Sequence, residues 1–217
     1  MRRLPTLLAG LGLATVAGIA SAMVTAPAPT SNAIAASAKA EIGKAAPAFT
    51  LKDLDGTSHS LKDFKGKIVV IEWFSSRCPW SGMKSKNSVH SSGQIKKLQE
   101  GLKKMDENVV YLMIDSSGRI FDDEKALIAA DQKATKALGI TTPVLVDYSG
   151  TVGREYGAKT TPHMYVIDGE GVLRYQGALG DRKDRNYVMD AVTAIKNGST
   201  VQPASTRPYG CGVKYKG

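Results

Sequence analysis

An α/β fold, one central sheet covered by helices on both faces, is predicted by three observations. Apolar runs rich in β-branched and aromatic residues recur along the chain, as in KIVVIEWF, NVVYLMID, PVLVD and HMYVID. Segments with apolar residues at helical spacing alternate with these runs. A hairpin opens the series and a second hairpin precedes the last helix, which completes a mixed sheet between helical layers.

The elements follow in order. FTLKDLDGTSHSL carries Asp55-Gly56 between two extended runs and reads as an N-terminal β-hairpin. Lys67 to Phe74 reads as a buried strand that ends at Ser75-Ser76-Arg77. A helix is expected to open at Cys78, with Pro79 at its first position, where a missing N–H costs nothing. Ser91-Ser92-Gly93 interrupts that helix before a second segment from Gln94 to Met105. NVVYLMID is the next strand and Asp123 to Leu138 the next helix. PVLVD is a strand followed by the short turn-helix GTVGREYGA. HMYVID and GVLRYQG form the late hairpin, and Arg185 to Lys196 is the final helix.

Both ends of the chain differ in character from this series. Arg2-Arg3, the apolar run Leu7 to Ala20 and the small-residue pattern Ala20-Ser21-Ala22 read as a signal peptide over residues 1–22. Residues 23–41, rich in Ala, Ser, Thr and Pro without apolar periodicity, read as a disordered linker. One domain over 42–198 and a tail over 199–217 complete the organisation. The protein is thus expected to be exported to the periplasm, with no stable membrane insertion once the signal is removed. The formal charge of +9 falls to +7 without Arg2 and Arg3. Lys96, Lys97, Lys103 and Lys104 interleave with Ile95, Leu98, Leu102 and Met105 at helical spacing, which marks a solvated helix face. Export and the lack of interleaved aromatics exclude nucleic acid as a partner.

SSRCPWSG, Ser75 to Gly82, holds one of two cysteines, and the other, Cys211, lies in RPYGCGVKY. A thiol at a strand-to-helix junction faces free N–H groups and a positive helix end, which favour the reactive thiolate. The alternative is an inert buried cysteine. Two cysteines in an exported chain are commonly paired. Such a bond is either a structural staple, stabilising by roughly 5 kcal/mol, or a reducible pair in which Cys211 resolves a mixed disulfide or sulfenic acid at Cys78. Glu72 stands in an apolar strand, where a carboxyl group is costly without a partner or a task. No metal-ligand spacing joins Cys78, His59, His90 and His163, so no metal is expected, and no cofactor motif is present.

IGKAAPAFTLKDLDG…LKDFKGKIVVIEWFSSRCPW, followed by GAKTTPHMYVIDGEGVLRYQG, resembles the redoxin branch of the thioredoxin-like fold from about Ile42 to Asn197. That branch includes the alkyl hydroperoxide reductase/thiol-specific antioxidant proteins and the periplasmic thiol-disulfide oxidoreductases. The resemblance implies a cis Thr161-Pro162 bond that presents the Thr161 backbone beside Cys78, where such proteins hold an extended partner chain. It makes Trp80, Thr161, Pro162 and His163 candidate substrate-binding residues. It makes Glu72, six residues before Cys78, a candidate proton acceptor whose burial raises its pKa toward neutrality. Ser81 occupies the place of the second cysteine of a Cys-x-x-Cys site, which leaves Cys211 as the resolving candidate. Peroxiredoxins carry a proline and a Thr or Ser seven and three residues before their cysteine. Ser75 fits the second position, and Ile71 replaces the proline.

Three functions are therefore in play. The first is thiol-disulfide exchange through Cys78, with protein thiols or disulfides, or a thioredoxin-like reductant, as partners. The second is a peroxidase in which Cys78 attacks peroxide. The third is a redox-silent module that binds peptides in its cis-proline groove and carries a structural disulfide.

Overall fold

The computed structural model describes residues 39–181 and 183–217. The leader read at 1–22 and most of the linker read at 23–41 lie outside the described residues. The Ala40 N–H donates to Glu155 O at 2.9 Å, and Ala40 and Ile42 pack against the core. The domain's packing thus begins two residues ahead of the boundary expected from composition.

The chain forms β1 (Thr50–Asp53), β2 (Ser58–Ser60), β3 (Val69–Phe74), α1 (Gln94–Met105), β4 (Val110–Asp115), α2 (Glu124–Leu138) and β5 (Val144–Val146). It continues with α3 (Thr151–Tyr156), β6 (Thr160–Thr161), β7 (His163–Ile167), β8 (Leu173–Gly177), α4 (Tyr187–Lys196) and β9 (Cys211–Gly212). Seven strands make one mixed sheet in the order β2-β1-β5-β4-β3-β7-β8, and β6 pairs with β9 in a separate two-stranded ladder. β3 is central. It runs parallel to β4, with Val69 opposite Val110 and Phe74 opposite Asp115, and antiparallel to β7, with Trp73 opposite His163.

All six residues of β3 are buried, and their alternation sorts them onto two cores. Val69, Ile71 and Trp73 join Tyr156 of α3 and Tyr165 and Ile167 of β7. Val70 points the other way, into a layer made by Ile95, Leu98 and Leu102 of α1 and Val188, Ala191 and Val192 of α4. The lysines of α1 are exposed, as the helical spacing predicted. Asn186 caps α4 by accepting the N–H groups of Val188 and Met189 at 3.1 and 3.0 Å. Among the described residues no helix is long and apolar enough to cross a membrane.

The helix expected to open at Cys78 does not form. Residues 75–93 run as successive turns, and the first α-helical residue after the strand is Gln94. Serine side chains take backbone acceptors that a helix needs: Ser85 Oγ donates to Pro79 O and Ser88 Oγ to Ser81 O, both at 2.6 Å. No helix N-terminus therefore faces the Cys78 thiol.

Two buried acids stand behind this segment. Asp115 ends β4, Asp131 lies on the inner face of α2, and both are fully shielded from solvent. Burial raises both carboxyl groups, Asp115 to about 6 and Asp131 well above its ordinary value, where the charge of Asp115 adds to the effect. The Ser117 N–H donates to Asp115 Oδ1 at 2.6 Å, so Asp115 ionises first and Asp131 keeps the proton. Unfolding lets Asp131 ionise near its ordinary value of 3.8. Its contribution to stability is therefore full below about pH 4 and is lost as the pH rises toward its raised folded value. Asp131→Asn is expected to raise the melting temperature at pH 7 and leave it nearly unchanged at pH 3.5; thermal denaturation at both pH values checks this.

Candidate redox site

The turn after β3 folds around one carbonyl. Ser75 O accepts the N–H groups of Cys78 and Gly82, both at 3.1 Å, while Cys78 O accepts those of Ser81 and Met83 at 3.2 and 2.9 Å. Gly82 is the residue that permits this closure. A Cβ there would collide with Ser75 O, Ser76 Cα and the Phe74 ring. The result places Cys78 inside the protein, 2 % exposed.

Backbone groups and a second thiol surround the Cys78 sulfur. Its S–H donates to Thr161 O at 3.0 Å, and the Trp80 N–H approaches the sulfur at 3.4 Å. The Thr161-Pro162 bond is cis, as the sequence resemblance implied, and Gln202-Pro203 is cis as well. Cys211 arrives from the other end of the chain. β9 pairs antiparallel with β6 so that Cys211 lies opposite Thr161, and its thiol hydrogen-bonds the Cys78 sulfur. Both cysteines are free thiols. Burial, that hydrogen bond and the neighbouring sulfur's charge push the Cys211 thiol up to about 11, against a weaker opposing pull from Lys214.

Glu72 is fully buried and well provided with donors. Ser81 Oγ donates to Glu72 Oε1 at 3.2 Å, and Tyr111 Oη donates to Oε2 at 2.8 Å. His90 Nε2 lies 3.1 Å from both carboxyl oxygens. Burial, and then the nearby Glu72 charge, hold the Tyr111 phenol well above its usual range. Ser81, at the place of a second cysteine, is thus tied to the acid of β3. Tyr111 went unnoticed in the sequence, where the signal was a polar-tipped aromatic in an otherwise apolar strand.

The other candidates separate into two groups. Trp80 stays at the site, its ring edge-on to Tyr209 of the tail at 5.9 Å. His163 does not join it. It is 4 % exposed in the Tyr165 cluster, and its Nδ1 lies 3.2 Å from the Lys159 N–H and 3.0 Å from Tyr165 Oη. Burial and the charge of Lys159 push its pKa down to about 3, which keeps it neutral. The Arg77 side chain is exposed and lies over the Phe121 ring at 5.6 Å, with no recorded contact to the thiol. Among the described residues no group of three or more His, Cys, Asp or Glu is placed to hold a metal ion.

The Redoxin family model matches residues 41–195, from the packed N-terminal segment through α4. The chain belongs to the Redoxin family. Thiol-disulfide oxidoreductase ResA of Bacillus thuringiensis subsp. konkukian is 29 % identical over 133 residues, covering 61 % of this chain and 67 % of that protein. Peroxiredoxin Q, chloroplastic, of Triticum aestivum is 29 % identical over 167 residues, covering 72 % of this chain and 69 % of that protein. A hypothetical protein from Sinorhizobium meliloti 1021 shares the fold with a TM-score of 0.65 at 24 % identity, covering 81 % of this chain and 95 % of its own. Together with the Redoxin match, this solved fold bears out the thioredoxin-like α/β architecture. The redoxin match stops short of the tail, so Cys211 lies outside the matched segment.

Two of the three influences that raise Cys211 come from Cys78. Cys78→Ala is therefore expected to lower the midpoint of Cys211 alkylation from about 11 while leaving it above the ordinary thiol value of 9.0, since burial persists. The pH dependence of iodoacetamide labelling, read by mass spectrometry, measures the change.

Proposed function

We propose that this redoxin is a thiol-disulfide oxidoreductase that acts through Cys78 and resolves through Cys211. The observation that carries the reading is the pairing of β9 with β6, which sets Cys211 opposite Thr161, the residue whose carbonyl accepts the Cys78 S–H. The names of the ResA relatives point to the same reaction class. Protein disulfides are the substrate class we assign, and the apolar leader read in the sequence supports a reaction outside the cytoplasm.

The chemistry balances as two successive exchanges. The Cys78 thiolate attacks one sulfur of the substrate disulfide, forming a mixed disulfide and expelling the first substrate thiolate, which takes up a proton. Cys211, deprotonated, then attacks the Cys78 sulfur and expels the second substrate thiolate. Two electrons pass to the substrate, and a Cys78–Cys211 disulfide remains. The high thiol pKa of Cys211 fits this order. Once Cys78 is bound to substrate, its thiol no longer accepts the Cys211 S–H, and the ionisation of Cys211 becomes easier. Glu72 is the proton acceptor in this reading, with the Ser81 hydroxyl as its link toward the thiol.

Peroxide chemistry is less well served. Ile71 stands where peroxiredoxins have proline, and Arg77, the arginine nearest in sequence, lies over Phe121. Rapid consumption of hydrogen peroxide by the reduced protein would move that reading ahead.

Titration of the protein against a defined thiol buffer, with peptide mapping of the Cys78–Cys211 bond, tests the assignment. The expected potential lies between about −120 and −230 mV, the range of working redox pairs. A value below roughly −300 mV identifies a structural staple and ends the exchange reading. In the same assay Glu72→Gln is expected to slow reduction of a small disulfide at pH 7 by about 10²-fold while leaving the melting temperature of the reduced protein within a few degrees.

A further inference from the structure

The tail does more than deliver a thiol. Val213 N–H donates to Lys159 O at 3.1 Å, Tyr215 Oη donates to Ala158 O at 2.6 Å, and the Arg119 N–H donates to Lys214 O at 3.0 Å. With the register of Cys211 opposite Thr161, these bonds lay the tail along the backbone edge beside Cys78. Gly210 enters so close to Thr161 O that a Cβ would collide with that carbonyl, and its φ of +137° is one that L side chains rarely adopt. The seat is filled, and Cys78 is almost wholly covered beneath it.

The seat is also weakly held. β6 and β9 contribute two residues each, too short a ladder to be stable alone. Gly210, Gly212 and Lys216 are exposed, and Cys211, Val213 and Tyr215 are only half-buried. Local opening of such a segment costs far less than global unfolding.

A protein chain that reacts with Cys78 must bring a cysteine to the position Cys211 already holds. We propose that the chain's own tail is a displaceable occupant of β6, the edge where the family resemblance already implies an extended partner chain, so that tail and a cysteine-bearing partner segment hold that edge in turn. This rests on the exchange reaction proposed above and specifies how it proceeds. The partner segment displaces residues 208–217, pairs with Thr160–Thr161 and forms the mixed disulfide with Cys78, releasing its first thiolate. The tail then returns as the partner strand leaves, and Cys211 attacks the Cys78 sulfur. The partner departs with two thiols, and the chain keeps one disulfide. Resolution is thus a strand exchange on one edge.

The test uses the full chain carrying Cys211→Ser, which keeps the tail but removes the resolving thiol. Two reagents compete for Cys78: a nonapeptide of the sequence RPYGCGVKY, its cysteine activated as the mixed disulfide with thionitrobenzoate, and bis(2-hydroxyethyl) disulfide. Adding Gly210→Val, which ejects the tail from β6, is expected to raise the peptide rate at least tenfold and the small-disulfide rate less than threefold. Equal increases overturn the proposal, because the tail then merely shields the thiol. Unchanged rates overturn it as well. Tyr215→Phe, which removes only the bond to Ala158, must shift the ratio of rates in the same direction. If the Cys211→Ser protein reacts with neither reagent, thiol exchange itself fails and the shared strand fails with it.

Discussion

Burial of the Glu72 carboxyl group sets the terms for the rest of the site. A polar group in a strand buried on every residue costs several kcal/mol unless it is fully hydrogen-bonded. Three donors meet that demand, and they come from three places: Ser81 on the turn, His90 before α1 and Tyr111 on β4. The whole segment between β3 and α1 is therefore bound back onto the strand. Ser81 is committed to Glu72, and the turn that places Ser81 there is the turn that folds Cys78 inward around Ser75 O.

The second half of the site has to come from elsewhere, and the backbone at Thr161 decides where. Its carbonyl accepts from Cys78, and Thr161 also pairs with Cys211, so one residue aligns both sulfurs. The tail reaches this point only after passing β8, where the Gln176 N–H donates to Ala204 O and Gln176 O accepts the Thr206 N–H. Tyr209 then meets Trp80, and Gly210 slips past Thr161. Tail and turn are thus complementary surfaces built from distant parts of the sequence. This geometry explains how a redoxin with serine in place of its nearer thiol still brings two sulfurs together.

Much of this was legible in the sequence where a local rule governs it. The buried strand VVIEWF, helical spacing from Ile95 to Met105 and the Asp55-Gly56 hairpin each follow from a few neighbouring residues. The site's long-range parts were not. A serine-rich stretch after Cys78 reads as an interrupted helix until Ser85 and Ser88 are seen to take backbone carbonyls. Tyr111 and His90 are ordinary residues until β4 and the turn bring them to Glu72. Asp115 and Asp131 were likewise silent, because only the packing of α2 onto the end of β4 turns two common acids into a buried pair. His163 adjoins the cis proline in sequence, and strand alternation turns its ring against Tyr165.

In the exchange we propose, the protonation of the two thiols gives the tail its direction of action. A resolving thiol that ionised readily would compete with substrate for every passing electrophile. Cys211 avoids this because burial and the Cys78 sulfur keep its proton in place while both thiols are reduced. The restraint depends on Cys78 being free. In the proposed reaction, consumption of the Cys78 thiol by a substrate removes the neighbour that held the Cys211 proton, and the same event creates the disulfide that Cys211 is to attack. The attacking group is thereby activated by the formation of its own target. A staple gains nothing from such coupling. In a pair that must wait for substrate and then resolve, the coupling sets the order of the two steps.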